Sequence, residues 1–400
     1  MTKFLTLITY SSFLIPIFYF DLIILKGILK ILNKKLISYK RYLLAFFVIL
    51  DLDIFGIIIG STFRFELILK ISAILNMMLI LLILSFAGSF SVIFVYLKLF
   101  FNKKEENGYH SDVNAGENKI TRRDFFKKGI LSVPLLPLAA SGLGMYEGFT
   151  PAEVKKVTFY FKNLPKSFNG LKIAHISDLH LSFYLRIEDL KIIVEKLNKQ
   201  NPDLLLITGD FVDDYVILDE AIELIKTVKT KYGIFASIGN HEYYRGVETV
   251  IKAFKKYNLP LLINKGVIIE NKEEKIFIGG VDDPGITKED IKPFLEDSLK
   301  KVLNYDKESS FKIIMSHRPK LLPIATGYNI DLVLSGHTHG GQIGFNGKSL
   351  FEDCYPESFL WGKYQIDNTT LYTTSGAGSW FPFRINCPNE IPVITLKREG

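Results

Sequence analysis

Five short polar tails in this sequence carry residue types that bind metal ions. They are Asp178-Leu179-His180, Gly209-Asp210, Gly239-Asn240-His241-Glu242, Ser316-His317-Arg318-Pro319 and Gly336-His337-Thr338-His339. A mixed set of carboxylate, imidazole and carboxamide donors suits manganese, iron or zinc, whereas calcium takes oxygen donors alone. The chain has seven histidines, and five of them fall in these tails; the others are His110 and His175. Asp178 and His180 are two residues apart, and so are His337 and His339. At the end of a strand that spacing points both side chains the same way. Gly209, Gly239 and Gly336 each precede a candidate ligand. Glycine there allows a tight turn and a close approach of backbone to the site.

Each tail has a blander reading on its own. Asp178 suits a helix cap, a Gly-Asp or Gly-Asn pair suits a turn, and His317 suits a buried, hydrogen-bonded histidine. Their concentration at the ends of apolar runs is what separates them from chance. His175 lies inside such a run and reads as a packing residue. Asp213 and Glu242 read as groups that orient the ligands. Asp282 and Asp283, in a Gly-Val-Asp-Asp-Pro stretch, read as a turn or as groups that reach the site, the turn being favoured. Arg318 and Arg384 either hold a substrate phosphate or make surface ion pairs. With only Cys354 and Cys387, a disulfide-rich scaffold and a cysteine-ligated zinc site are both excluded. Those two cysteines either pair or stay free.

The elements that must position these tails follow from periodicity. Apolar runs at 171–176, 203–208, 233–238, 311–315 and 330–334 each end in one of the tails. Amphipathic helical patterns lie between them at 187–199, 216–230, 247–257 and 288–303. Strands alternating with helices predict an α/β sheet system, in which ligands collect beyond the carboxyl ends of the strands.

The blocks Asp178-Leu179-His180, Gly209 to Asp213 (GDFVD), Gly239 to Glu242 (GNHE), Ser316 to Pro319 (SHRP) and Gly336 to Gln342 (GHTHGGQ) resemble the calcineurin-like metallophosphoesterase superfamily. They occur in that family's order, and the resemblance covers roughly residues 155–400. GHTHGGQI, with the terminal PFRINCPNEIPVITLKR, looks like its bacterial membrane-associated phosphodiesterase branch. The resemblance implies a two-sheet α/β sandwich flanked by helices and a site for two divalent ions. It implies that Asp178, His180 and His339 hold one ion, that Asn240, His317 and His337 hold the other, and that Asp210 bridges both. It further implies that His241 is not a ligand but stabilises developing charge or protonates the leaving oxygen.

Charge and hydropathy divide the chain. Mean hydropathy is +0.20, high for a soluble enzyme. Residues 1–150 hold 17 of the 49 basic and 10 of the 42 acidic residues, which leaves 32 of each in the remainder. The net charge of +7 therefore lies entirely in the first 150 residues. Apolar stretches at 4–25, 43–60 and 71–97 read as three spans, so 1–100 reads as an all-α transmembrane region. Residues 101–128 read as a cytoplasmic linker, and 129–148 as a fourth span or signal-anchor. The run TRRDFFKKG at 121–129 resembles a twin-arginine export signal; a basic flank that keeps cytoplasmic loops inside explains it equally. Both readings leave 149–400 outside the cytoplasm. Asp21, Asp51 and Asp53, in or near spans, sit in interfacial water or serve a function.

The sequence thus predicts a multi-pass protein of the cytoplasmic membrane with an extracytoplasmic metal-dependent phosphoesterase domain. Its expected substrate is a phosphodiester or phosphomonoester, lipid- or envelope-derived, and its expected partner is the membrane. The alternative is a membrane sensor or transport module with a regulatory metal domain. A nuclease is disfavoured, because the balanced charge of 151–400 lacks the basic surface that nucleic acid requires.

Overall fold

The computed structural model describes residues 135–400 apart from 183, 286–290 and 307. The expected spans at 4–25, 43–60 and 71–97, the linker and the three aspartates Asp21, Asp51 and Asp53 lie outside the described residues. Of the fourth apolar stretch, the described part is helix α1, Leu135–Gly148. Among the described residues no helix is long and apolar enough to cross a membrane.

After α1 the chain runs β1 (Glu153–Phe161), β2 (Lys172–Ile176), α2 (Ile187–Gln200), β3 (Leu204–Thr208), α3 (Leu218–Ile225) and β4 (Ile234–Ser237). It continues with α4 (Asn240–Arg245), α5 (Val247–Lys256), β5 (Lys265–Asn271), β6 (Glu274–Gly280), α6 (Ile291–Leu303) and β7 (Phe311–Met315). Next come α7 (Leu322–Ala325), β8 (Leu332–Ser335), β9 (Gly344–Phe345), β10 (Lys348–Ser349), β11 (Gly362–Ile366), β12 (Thr369–Thr373) and β13 (Glu390–Arg398). The five strands expected before the polar tails are β2, β3, β4, β7 and β8, and the four helical patterns become α2, α3, α5 and α6.

Two mixed sheets result. The first has the order β1-β13-β2-β3-β4, with β2, β3 and β4 parallel. The second has the order β11-β12-β8-β7-β6-β5, with β6, β7, β8 and β12 parallel. β3 reads Leu-Leu-Leu-Ile-Thr and is buried at every position, the pattern of a strand covered on both faces. Alternate residues serve two cores. Leu204 and Leu206 join Ile173, Ile313, Met315, Leu332 and Leu334 between the sheets. Leu205 and Ile207 face outward against Leu190, Ile193 and Leu197 of α2 and Ala221, Ile222 and Ile225 of α3. On the far side, Ile314 and Val333 meet Leu295, Leu299 and Val302 of α6. The architecture is therefore helices, sheet, sheet, helices.

The sheets meet through aromatic and aliphatic side chains. Phe161 of β1 packs edge-on against Phe311 of β7 at 4.9 Å between ring centroids. Phe311 is fully buried, and β-strands on both sides fix its neighbours, so the space it leaves cannot readily collapse. Phe311→Ala is expected to lower unfolding free energy by about 3–5 kcal/mol. Denaturant unfolding followed by circular dichroism reads that loss.

Candidate metal centre

The parallel strands of both sheets end on the same side of the molecule, and each polar tail leaves the end of one strand. From the first sheet, β2 delivers Asp178 and His180, β3 delivers Asp210, and β4 delivers Asn240 at the start of α4. From the second, β7 delivers His317 and β8 delivers His337 and His339.

Converting a strand end into a ligand carrier requires abrupt turns. Asp178, His180, Asp210, His337 and His339 all adopt left-handed backbone, with φ of 54°, 47°, 52°, 70° and 50°. Such conformations cost of order 1–3 kcal/mol each and persist where surrounding structure enforces them. The enforcing bonds run between tails. Asp178 N donates to Gly209 O at 3.2 Å, and His180 N donates to Asp210 O at 2.9 Å. His337 N donates to Asp178 Oδ1 at 3.0 Å, linking the two sheets. Glu242, buried on α4, accepts from the amides of Asp210 (3.0 Å), Phe211 (2.7 Å) and Gly239 (2.8 Å). It ties the β3 tail to the β4 tail. Of the three glycines, Gly209 alone has positive φ, 82°. Gly239 and Gly336 are required for closeness, since a Cβ there would collide with Asp210 Oδ1 and Asp178 Oδ2 respectively.

The donor atoms converge in two sets. His180 Nε2 lies 3.2 Å from His339 Nε2, and Asp178 Oδ1 lies 3.5 Å from the latter. His317 Nε2 lies 3.2 Å from Asn240 Oδ1 and 3.2 Å from His337 Nδ1. Asp210 Oδ2 stands between them, 3.1 Å from His317 Nε2 and 3.6 Å from His180 Nε2. Donors that each sit about 2.0–2.2 Å from a common ion are separated from one another by roughly 3.0–3.5 Å. Most of these pairs have that spacing, with Asp210 Oδ2 and Asp178 Oδ1 somewhat farther from His180 Nε2, at 3.6 and 3.9 Å, so the residues present fit a divalent ion in each set.

The remote ring nitrogens show how the rings are held. His317 Nδ1 faces Thr208 O at 2.8 Å, and His180 Nδ1 faces Asp213 Oδ2 at 3.2 Å. Both acceptors take the ring N–H and leave Nε2 free as a donor to the centre. His337 Nε2 faces Arg318 Nη1 at 3.0 Å, and His339 Nδ1 faces Arg384 Nη2 at 3.3 Å. An arginine only donates, so these two rings are backed by positive charge instead.

The electrostatics of the donor set suit cations. Burial acts to lower the His317 pKa, but the Asp210 carboxylate beside it prevails and holds it at about 10. Burial acts to raise the Asp210 pKa, but His317, His180 and His241 hold it well below the usual carboxylate range. Burial, reinforced by charged neighbours, pushes His337 and His339 well below the ordinary histidine value.

Asp213 and Glu242 lie where they orient ligands. Asp213 also accepts from His241 Nδ1 at 2.7 Å, so one carboxylate positions both His180 and His241. The His241 ring sits at the rim, 4.4 Å from the His180 ring between centroids, and keeps partial exposure. His175 stands away from the centre; its Nε2 meets Thr208 Oγ1 at 2.8 Å, and burial lowers its pKa to about 3.

Three expectations need correction. Asp283 is more than a turn residue: it is buried and pairs bidentately with Arg318, at 2.9 and 3.2 Å. Arg318 is therefore not a surface ion pair, and its Nη1 reaches His337. Arg384 is fully buried and meets neither expectation. It donates to Ser379 Oγ and to the carbonyls of Ser375, Gly378 and Cys387, all within the protein. A lone arginine in a sequence gives no signal of such a role. Cys354 and Cys387 are both free, the first exposed and the second buried.

The calcineurin-like phosphoesterase family profile matches residues 171–341, the stretch that supplies every donor above. A Bacillus subtilis protein, uncharacterized metallophosphoesterase YkuE, is 31% identical over 291 residues, covering 70% of this chain and 98% of that one. The chain belongs to the calcineurin-like metallophosphoesterase family. An uncharacterized metallophosphoesterase of Helicobacter pylori is 33% identical over 263 residues, covering 63% of this chain and 66% of its own length. A Danio rerio relative named transmembrane protein with metallophosphoesterase domain is 30% identical over 290 residues, covering 68% of this chain and 63% of its own length. This chain thus spans just under two thirds of the Helicobacter relative.

Two outcomes are expected of this metallophosphoesterase centre. At neutral pH the metal-free site carries a proton on His317, which a divalent ion must displace. Loading therefore releases at least one proton, and apparent affinity falls about tenfold per pH unit below about 10. Calorimetry in buffers of different ionisation enthalpy measures this; an affinity indifferent to pH contradicts it. Separately, Gly336→Ala displaces Asp178 and is expected to weaken metal binding by roughly 10–100-fold.

Proposed function

We propose that this protein is a membrane-anchored phosphoesterase that uses two divalent ions, manganese, iron or zinc, to hydrolyse a phosphodiester outside the cytoplasm. The observation that carries the reading is Asp210 Oδ2, within 3.6 Å of both donor sets. Anchoring is supported by the uncharged stretch at 71–97, the apolar stretch at 4–25 and the name of the Danio rerio relative, a transmembrane protein with metallophosphoesterase domain. Extracytoplasmic placement is supported by the basic loops at 26–41 and 103–128, which orient spans with positive charge inside. The balanced charge of 151–400 argues against a nucleic acid substrate.

Two ions held by these ligands supply Lewis acidity and a nucleophilic hydroxide at neutral pH, against an anion that would otherwise repel it. The chain's own residues do the rest. Asp178, His180 and His339 would hold one ion, Asn240, His317 and His337 would hold the other, and Asp210, within 3.6 Å of both donor sets, would contribute to each. Asp213 accepts a hydrogen bond from His241 Nδ1–H and orients the ring, so that in its imidazolium form Nε2–H faces the leaving oxygen and gives it the proton. The Asp283–Arg318 pair holds a guanidinium beside His337, where it adds positive charge near the phosphoryl oxygens.

The test is turnover of a soluble aryl phosphodiester by the full chain loaded with manganese. His241→Ala is expected to lower kcat by about 100- to 10,000-fold with metal content unchanged. Asp210→Ala is expected to lose both activity and metal. Wild-type turnover in either variant would falsify the mechanism.

A further inference from the structure

Exposed apolar side chains gather along one rim beside the centre. Tyr146 on α1 is 73% exposed, Phe345 on β9 is 66% exposed, and Trp380 in the loop before β13 is 54% exposed. Leu143 and Leu350 add to the same segments. These segments are laced together by hydrogen bonds, all but one of them between backbone groups. Arg384 N donates to Gly144 O at 2.8 Å, and Asn386 N donates to Glu147 Oε2 at 2.6 Å. Gly344 N donates to Ile385 O at 2.8 Å, and Ile385 N donates to Gln342 O at 2.9 Å. The sequence stretch Trp380 to Phe383 divides accordingly: Pro382 and Phe383 are buried, and Trp380 stands out. Gly144 and Gly148 leave no room for a Cβ against Phe383 and Pro382, so α1 lies directly on this loop. The rim is also joined to the site, because Arg384 donates to the His339 ring and Gln342 follows the His339 turn.

Single exposed apolar residues are ordinary, and Ile192, Val216 and Phe294 stand alone on separate elements. Exposed tryptophan, tyrosine, phenylalanine and leucine side chains on segments braced to one another, and through Arg384 to His339, are different. Tryptophan and tyrosine combine an apolar ring with one polar atom, which suits the headgroup level of a bilayer. The chain supplies the reason for a bilayer to be there: α1 continues an apolar run that begins at 129, and 71–97 is uncharged over its whole length. Charge does not favour an anionic surface, since Lys348 on the hairpin is offset by Glu352 and Asp353 just beyond it.

We propose that this rim seats the domain on the lipid surface at headgroup level. The adjacent metal centre is thereby held level with lipid phosphates, and its substrate is a phosphoester borne by a lipid headgroup. This rests on the membrane-anchored reading above.

The chain has two tryptophans, Trp361, which is buried, and Trp380. Trp361→Phe makes Trp380 the sole emitter; the difference between wild type and Trp380→Phe gives the same signal should that variant misfold. The full chain is placed in phosphatidylcholine vesicles whose acyl chains are brominated near the carbonyl end. Trp380 emission is expected to be quenched by the brominated lipid, shielded from aqueous acrylamide and insensitive to salt. Quenching by acrylamide alone, in chain that floats with the vesicles, overturns the proposal and leaves the anchor standing. Shielding from both quenchers overturns it in favour of a second copy or another protein. Chain that fails to float overturns anchor and rim together. In a second arm, Phe345→Ser with Trp380→Ser is expected to lower hydrolysis of a vesicle-borne phosphodiester at least tenfold and leave the soluble aryl phosphodiester unaffected. Equal loss on both substrates counts against the rim. A wild-type chain that cleaves neither substrate, yet shows lipid quenching, removes the hydrolase reading and keeps the docking.

Discussion

The Asp210 carboxylate is shared between two sheets. Its Oδ2 lies 3.6 Å from His180 Nε2, on the β2 tail, and 3.1 Å from His317 Nε2, on the β7 tail. A contact of that length across a sandwich is met only if both sheets end their parallel strands on the same side and at the same height. The inner core sets that height. Ile173, Leu206, Ile313 and Leu334 pack between the sheets, just below the level where the tails begin. Apolar burial thus fixes the spacing, and the polar cap above it inherits the precision.

That cap gathers charge that would be unfavourable without a counter-ion. Asp178, Asp210, His180, His317 and His339 lie buried, and two arginines stand behind the histidine rings. The protein answers locally by placing a positive imidazole on Asp210 and keeping His337 and His339 neutral. Replacing the proton on His317 with a divalent ion keeps positive charge beside Asp210 and satisfies the converging lone pairs. The left-handed backbone at five ligand positions fits the same account. Those turns are held by hydrogen bonds between tails, so each tail is rigid only when the others are in place. Glu242 and Asp213 extend this mutual support from ligand to ligand.

Much of the fold and the donor set was legible in the sequence. The apolar runs before Asp178, Asp210, Asn240, His317 and His337 had strand length and β-branched or leucine-rich content, and all became strands. The donors announced themselves because polar residues rarely follow apolar runs in this concentration. Less legible were residues whose importance depends on a partner distant in sequence. Asp283 looked like a turn residue because its neighbours are Asp282 and Pro284; Arg318, 35 residues away, gives it its role. Arg384 lies in the quoted PFRINC stretch, but nothing local names its five partners, which are carbonyls, a hydroxyl and the His339 ring.

By itself the sequence determined which atoms are offered, in what order, and that each leaves the end of a strand, because hydrophobic period and residue type are local properties. It also determined where the excess positive charge lies. Only the tertiary structure decided that Asp210 Oδ2 stands between the two donor sets, that Gly239 and Gly336 are demanded by closeness instead of turn geometry, and that the segments carrying Trp380 and Phe345 are hydrogen-bonded to one another. These are relations between segments up to 159 residues apart, such as His337 N on Asp178 Oδ1, and they exist only once the core has brought the two sheets to a fixed separation.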